Sequence, residues 1–167
     1  MSYTSLLKID GIKGDSDIPS HAGEIQVLSF RHGVHAPVTG LGHGQLESGP
    51  ELARKDHEIV VSSSMGPESP KLFELAVTGR HLPKAVITFL SLSPNGTVSE
   101  YMVITMSDVI VSRIAPLEHG RTFRSDDPAP LQEMTLNYGK IEWEFKPIDE
   151  AKSTGPVKTS YDLKSIK

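Results

Sequence analysis

The chain has no cysteine. That excludes a disulfide scaffold, a thiolate zinc site and a cysteine nucleophile, and it suits a reducing compartment. Long hydrophobic runs are missing as well. No stretch approaches the roughly 18 apolar residues of a membrane span. The opening MSYTSLLKIDGIKG lacks the apolar core of about 7–15 residues that a secretory signal needs. Nor is there an excess of basic charge. Seventeen Lys and Arg stand against 21 Asp and Glu, for a formal net charge of −4. The charges are interspersed, which argues against nucleic acid as a partner.

What is present fits one domain over residues 1–167. A chain of this length buries roughly 70% of its unfolded surface and needs no disulfide or metal to fold. The dominant period is two, the period of strands. Tyr3, Ser5, Leu7 and Ile9 share one parity and stop at Asp10-Gly11. Further strand-like runs are EIQVLSF from Glu24, EIVVSS from Glu58, AVITFLSL from Ala85, EYMVITM from Glu100 and VIVSRI from Val109. Between the last two, Ser107-Asp108 reads as a bulge in one long strand or a corner between two. Glu133–Phe145 is another strand, and Thr154–Leu163 can supply a last one.

The run LNYGKIEWEF at 136–145 changes parity in mid-strand: Leu136 and Tyr138 are even, while Ile141, Trp143 and Phe145 are odd. An extra residue at Gly139-Lys140 would flip the buried face, so a β-bulge is expected there.

One segment is helical, over about residues 70–78. Ser69 suits the N-cap, Pro70 the first turn and Gly79 the residue just past the end. Leu72, Phe73, Ala76 and Val77 define its expected apolar face. Many short strands with turn signals and one docked helix point to a sandwich or barrel. His32–Lys55, rich in glycine, and Pro116–Pro130, rich in charge and proline, read as long loops.

Candidate chemistry is sparse. His32, His35 and His43 lie in the glycine-rich loop, with His57 nearby. Imidazoles can hold zinc, copper or nickel, but this spacing carries no firm carboxylate or cysteine partner. A monomeric β-barrel binding module that takes a metal through His32, His35 and His43 is the alternative reading. Ser62-Ser63-Ser64 could enter a triad, but no Gly-x-Ser-x-Gly elbow presents a serine. Gly40-Leu41-Gly42-His43-Gly44 lacks the lysine and the context of a phosphate loop. Glu142 and Glu144 are two apart on a strand and face the same way. A paired-carboxylate mechanism needs them across a cleft. No catalytic residue and no cofactor are expected.

Five segments in order resemble the haemolysin-coregulated protein (Hcp) family, the tube proteins of bacterial type VI secretion. They are LKIDGIKGDS from Leu7, SPKLF through TGRH over 69–81, YMVITMSDVIVSRI from Tyr101, LNYGKIEWEF from Leu136 and KTSYDLK from Lys158. Tyr161 stands where the family usually has tryptophan. The resemblance implies a small closed β-barrel with one short docked helix and long loops. It implies a non-enzymatic homohexameric ring that stacks into a tube. A contractile sheath would drive this tube behind a spike protein, with small effectors carried and chaperoned in the lumen. Such a chain is assembled in the bacterial cytoplasm and secreted without a signal peptide.

Overall fold

The computed structural model describes residues 2–33, 39–41, 45–47, 57–93, 96–117, 130–147 and 155–165. Among these are the strands β1 (Ser2–Ile9), β2 (Ile25–Val27), β3 (Ser29–His32), β4 (Thr39–Leu41), β5 (Gln45–Glu47), β6 (Glu58–Ser64), β7 (Leu82–Leu92), β8 (Val98–Leu117), β9 (Leu131–Phe145) and β10 (Val157–Asp162). Among the described residues one α-helix, α1 (Ser69–Thr78), joins β6 to β7, and a 3-10 turn spans Leu163–Ser165.

The main sheet runs β2-β1-β7-β8-β9-β6-β3, with β10 also pairing β9. Every pairing is antiparallel. The first and last strands of this order, β2 and β3, are successive pieces of one segment separated by Leu28 alone. The Leu28 N–H donates to Ser62 O at 2.8 Å. One segment therefore pairs with β1 through its first half and with β6 through its second, and the curled sheet becomes barrel-like. Inside lie Leu7, Ile9, Ile25, Ile59, Val61, Ile87, Ile104, Met106, Met134 and Leu136, each at most 2% exposed.

The parity change at Gly139 is real, but it is not a bulge. Met106 pairs with Ile141, and Val109 pairs with Tyr138, so the register is unbroken across the change. Strand β8 changes parity at the same level, from buried Met106 to buried Val109. Strand β7 does so too, from Leu82 to Ala85. The in-register rows Leu82–Val109–Tyr138 and Ala85–Met106–Ile141 lie on either side of one crease. Successive strand residues point to opposite faces. Two residues three apart can both face the core only if the backbone turns over between them. Asp108 does this with a left-handed φ of 55°. The actual register shifts in β8 are elsewhere, one opposite Phe89/Leu90 and one between Val111 and Arg113.

The helix also departs from expectation at two points. Its N-cap is Glu68, with no side-chain cap. The Ser69 hydroxyl instead accepts from the Gly66 N–H at 3.0 Å. Leu72 and Leu75 are the buried residues, with Ala76 packed beside them, whereas Phe73 is 61% and Val77 70% exposed. Gly79 does end the helix, at φ 60°, with its N–H donating to Leu75 O. The glycine-rich loop is also not structureless throughout, since β4 and β5 pair within it as a small separate ladder.

Candidate functional site

Of the histidines singled out in the sequence, His32 and His57 lie among the described residues. His35 and His43 lie outside the described residues. His32, at the end of β3, shares a 2.8 Å hydrogen bond between Nε2 and the Tyr138 hydroxyl. The His32 ring also sits 5.7 Å from Trp143, while His57 lies 6.1 Å from Tyr138 and 6.4 Å from Tyr161. Burial, reinforced by the nearby His57, holds the His32 imidazole below its usual pKa. Burial pushes the Tyr138 phenol up to about 12, with Tyr161 adding to the effect. Both partners are thus neutral near pH 7, and His32 Nε2 and the Tyr138 hydroxyl are engaged with each other. The cluster joins rings from β3, β9 and β10 with that of His57, just before β6. Among the described residues, no three His, Cys, Asp or Glu side chains stand close enough to hold a metal ion.

The serine run is a ladder strand. Ser62 Oγ accepts from Ser29 Oγ at 2.9 Å, and Ser63 Oγ accepts from Gln132 Nε2 at 3.2 Å. Gly40 and Leu41 belong to β4, and residues 42–44 lie outside the described residues. Glu142 and Glu144 do share one face of β9. Glu142 Oε1 meets Lys158 Nζ of β10 at 2.8 Å, which holds that ammonium above its usual pKa. This is a cross-strand ion pair, not an acid–base pair.

Two charged sites escaped the sequence reading. Glu68 is 2% exposed. Its Oε1 accepts from Gln132 Nε2 at 3.1 Å. Its Oε2 packs over Gly66, where an added Cβ would fall 2.6 Å away. Burial raises the Glu68 pKa. The Asp15 carboxylate adds to this, while the Glu68 backbone N–H and Gln132 oppose it. The second site is Asp108, at the crease. Its Oδ2 meets Lys164 Nζ at 2.6 Å, and its Oδ1 meets His81 Nδ1 at 2.7 Å. The Lys164 and His81 hydrogen bonds hold its pKa below the usual carboxylate value. The side chain lies across Gly139, where a Cβ would be 3.0 Å from Oδ2 and 3.1 Å from the Asp108 Cβ. Gly139 is therefore a glycine because Asp108 occupies the space above it. The clamp also ties the chain after α1 and the turn after β10 to the crease.

Among the described residues, Tyr3, Leu28 and Met65 are exposed, and two further stretches each expose more than one large apolar side chain. On the β9–β10 pair, the cross-strand rows are Ile141–Tyr161, Trp143–Thr159 and Phe145–Val157 on one face. Lys140–Asp162, Glu142–Ser160 and Glu144–Lys158 form the other. The first face starts in the core at Ile141 and runs out of it, so that Phe145 is 43% and Val157 60% exposed. The second such stretch is the Phe73–Val77 ridge of α1. Along the described residues the molecule thus offers shaped apolar and charged surfaces but no nucleophile activated by a base. The class the described residues define is a rolled antiparallel sheet with one docked helix.

Comparison with known proteins fixes the family. Residues 6–145 match the family model described as "Type VI secretion system effector, Hcp". The chain belongs to the Hcp family. Hcp proteins are secreted structural components of the type VI secretion tube and not enzymes, which places this chain in a type VI secretion system. Protein hcp1 of Pseudomonas aeruginosa is 26% identical over 98% of this chain and 97% of its own length. The crystal structure of Hcp1 from Salmonella typhimurium aligns over 100% of this chain and 99% of its own, at 26% identity and a TM-score of 0.73. A structure described as a type six secretion system protein aligns over 99% of each chain at 22% identity and a TM-score of 0.77, and shares the fold. No helix among the described residues is long and apolar enough to cross a membrane.

Proposed function

We propose that residues 1–167 act as one domain that closes into homohexameric rings. These rings stack into a tube that a contractile sheath drives outward behind a spike protein, with small effectors carried and protected in the lumen. The chain is made in the bacterial cytoplasm and leaves through the machine without a signal peptide. The observation that carries this reading is the family match, with relatives that align along essentially their whole length. The surfaces agree with it. A ring of identical subunits needs two unlike patches, one meeting the other around the circle. Among the apolar surfaces exposed on the described residues are two unlike ones, one on a sheet and one on a helix. Native mass spectrometry at micromolar concentration tests the ring, with six copies expected. A strictly monomeric or dimeric mass across salt and pH would overturn it.

A further inference from the structure

The rings around His32 carry chemistry that packing does not use. Trp143 is the single tryptophan of the chain. It is half-buried on β9, so a small solute can reach its rim. Tyr138, on the same strand, is 5% exposed. The His32 ring touches both, with centroids 5.7 Å from Trp143 and 5.9 Å from Tyr138. Its Nε2 stands 2.8 Å from the Tyr138 hydroxyl. In a chain without cysteine, indole and phenol are the side chains that give up a single electron most readily.

We propose that Trp143, His32 and Tyr138 form a redox site, in which a small one-electron oxidant takes an electron from Trp143 and Tyr138 replaces it as the phenol proton passes to His32 Nε2. The site does not depend on the ring reading. An oxidised phenol is a strong acid, so its proton leaves with its electron. A phenol buried like that of Tyr138 cannot hand the proton to bulk water, and His32 Nε2 is a base within hydrogen-bond reach. Burial keeps the His32 imidazole unprotonated near pH 7 and so able to accept. Burial also pushes the Tyr138 phenol up to about 12, which prevents the proton from leaving ahead of the electron. The neighbouring rings bound the path. Beyond His32 on one side lie Phe30, at 6.4 Å, and then Phe89, 5.5 Å further on. Rings without a hydroxyl are much harder to oxidise, so the hole does not continue toward Tyr101. Tyr161 lies on the far side of His57, at 6.4 Å from it. The step balances. The oxidant is reduced by one electron and leaves the Trp143 indole as a radical cation. Tyr138 returns one electron to the indole and becomes a neutral phenoxyl radical, and its proton converts His32 to imidazolium. Where the indole N–H has meanwhile lost its proton to water, water returns it.

Pulse radiolysis of the full chain with the azide radical, a one-electron oxidant that attacks indole in preference, tests this. With a single tryptophan, the starting radical is placed at Trp143. In the wild type the indolyl absorption should decay as the phenoxyl absorption rises, at a rate independent of protein concentration. Tyr138→Phe keeps the ring and removes only the hydroxyl, and it should abolish that rise. Tyr161→Phe should leave it unchanged. His32→Gln keeps a hydrogen-bond acceptor near the phenol but supplies no base, and it should slow the rise about a hundredfold. Circular dichroism should match the wild type in all three variants. In heavy water the wild-type rise should be slower, since a proton moves in the step, and this comparison needs no variant to fold. A rise that survives in Tyr138→Phe, or is lost in Tyr161→Phe, would place the acceptor elsewhere and overturn the site. A wild-type rate in His32→Gln would show that the hydrogen bond is structural and overturn the role of His32. A wild-type rate unchanged in heavy water, or no phenoxyl signal in the wild type, would overturn the proposal as a whole.

Discussion

The two halves of β9 are made from the same kinds of residue and meet different fates. In the first half, Met134 and Leu136 are fully buried and Tyr138 nearly so. That half is flanked by β8 on one side and β6 on the other, and β3 follows beyond β6. In the second half, Ile141 is buried, Trp143 is half-buried and Phe145 is exposed. This half is flanked by β8 and by β10, beyond which no described strand lies. Alternation alone decides which face is apolar. Whether that face is dry depends on what the rest of the fold places across from it. The second half of β9 has the pattern of a core strand without the rest of a core.

Substitutions can break or sharpen this comparison. Leu136→Ala in the sealed half should cost about 2–5 kcal/mol, because the lost contacts leave a cavity. Denaturant unfolding should show a large drop in midpoint. Gly139→Val, at the boundary, should cost about 1–3 kcal/mol, since the new side chain meets Asp108 in a space already filled. A melting temperature unchanged from wild type would mean that the crease has slack the geometry does not show. Phe145→Ala, in the open half, should shift stability of the isolated protomer by about 1 kcal/mol or less, as exposed positions do. Glu142→Gln should do less again, because a partly exposed ion pair such as Glu142–Lys158 contributes about 0–1 kcal/mol. Its melting temperature should lie above that of Gly139→Val.

Two titratable groups whose pKa is shifted by burial, Glu68 and His32, supply a further test, with opposite signs. Glu68 has a raised folded-state pKa, so the folded chain holds its proton more tightly than the unfolded chain. Its contribution is fully present below the usual glutamate value of 4.5 and is lost as pH rises through the higher folded value. His32 has a depressed folded-state pKa. Its contribution is present above 6.5 and is lost as pH falls from there through the lower folded value. Subtracting the pH–stability curve of Glu68→Gln from that of wild type should leave a difference that declines with rising pH above 4.5. A flat difference would remove Glu68 as its source. The same subtraction with His32→Gln should leave a difference that declines with falling pH below 6.5.

Much of this architecture was legible in the sequence. Proline at the first helical turn and glycine past the last marked α1 to within a residue. Period-two runs found most of the strands of the main sheet, and the parity change in LNYGKIEWEF was visible in the letters. What the letters could not reveal is that β7 and β8 change parity at the same level, because that depends on register between segments about 25–30 residues apart. The mistaken bulge followed from reading one strand alone. The helix face was misjudged for a related reason. With Leu72, Phe73, Leu75, Ala76 and Val77 in one short helix, apolar residues cover more than half of the circumference, and only the neighbouring strands choose which are buried. Glu68 and Asp108 were missed because their roles depend on Gln132 and Lys164, both more than fifty residues away. Ser107-Asp108 did stand out as a break. Asp is among the few non-glycine residues that visit the left-handed region readily, which is the signal that could have located the turn of the crease.

The crease has a consequence for error. In an ordinary two-faced sheet, a slip of one residue between neighbours exchanges the wet and dry sides along the whole strand. Here the exchange of sides is written into three strands at one level, so their offsets are locked to one another. If β8 slipped past β7 by two residues, which an unbroken alternating pattern would tolerate, the levels at which the strands turn over would no longer coincide. The Leu82–Val109 and Ala85–Met106 pairs would be lost, and Asp108 would no longer lie over the one residue of β9 that leaves room for it. The fold therefore carries its own check on alignment.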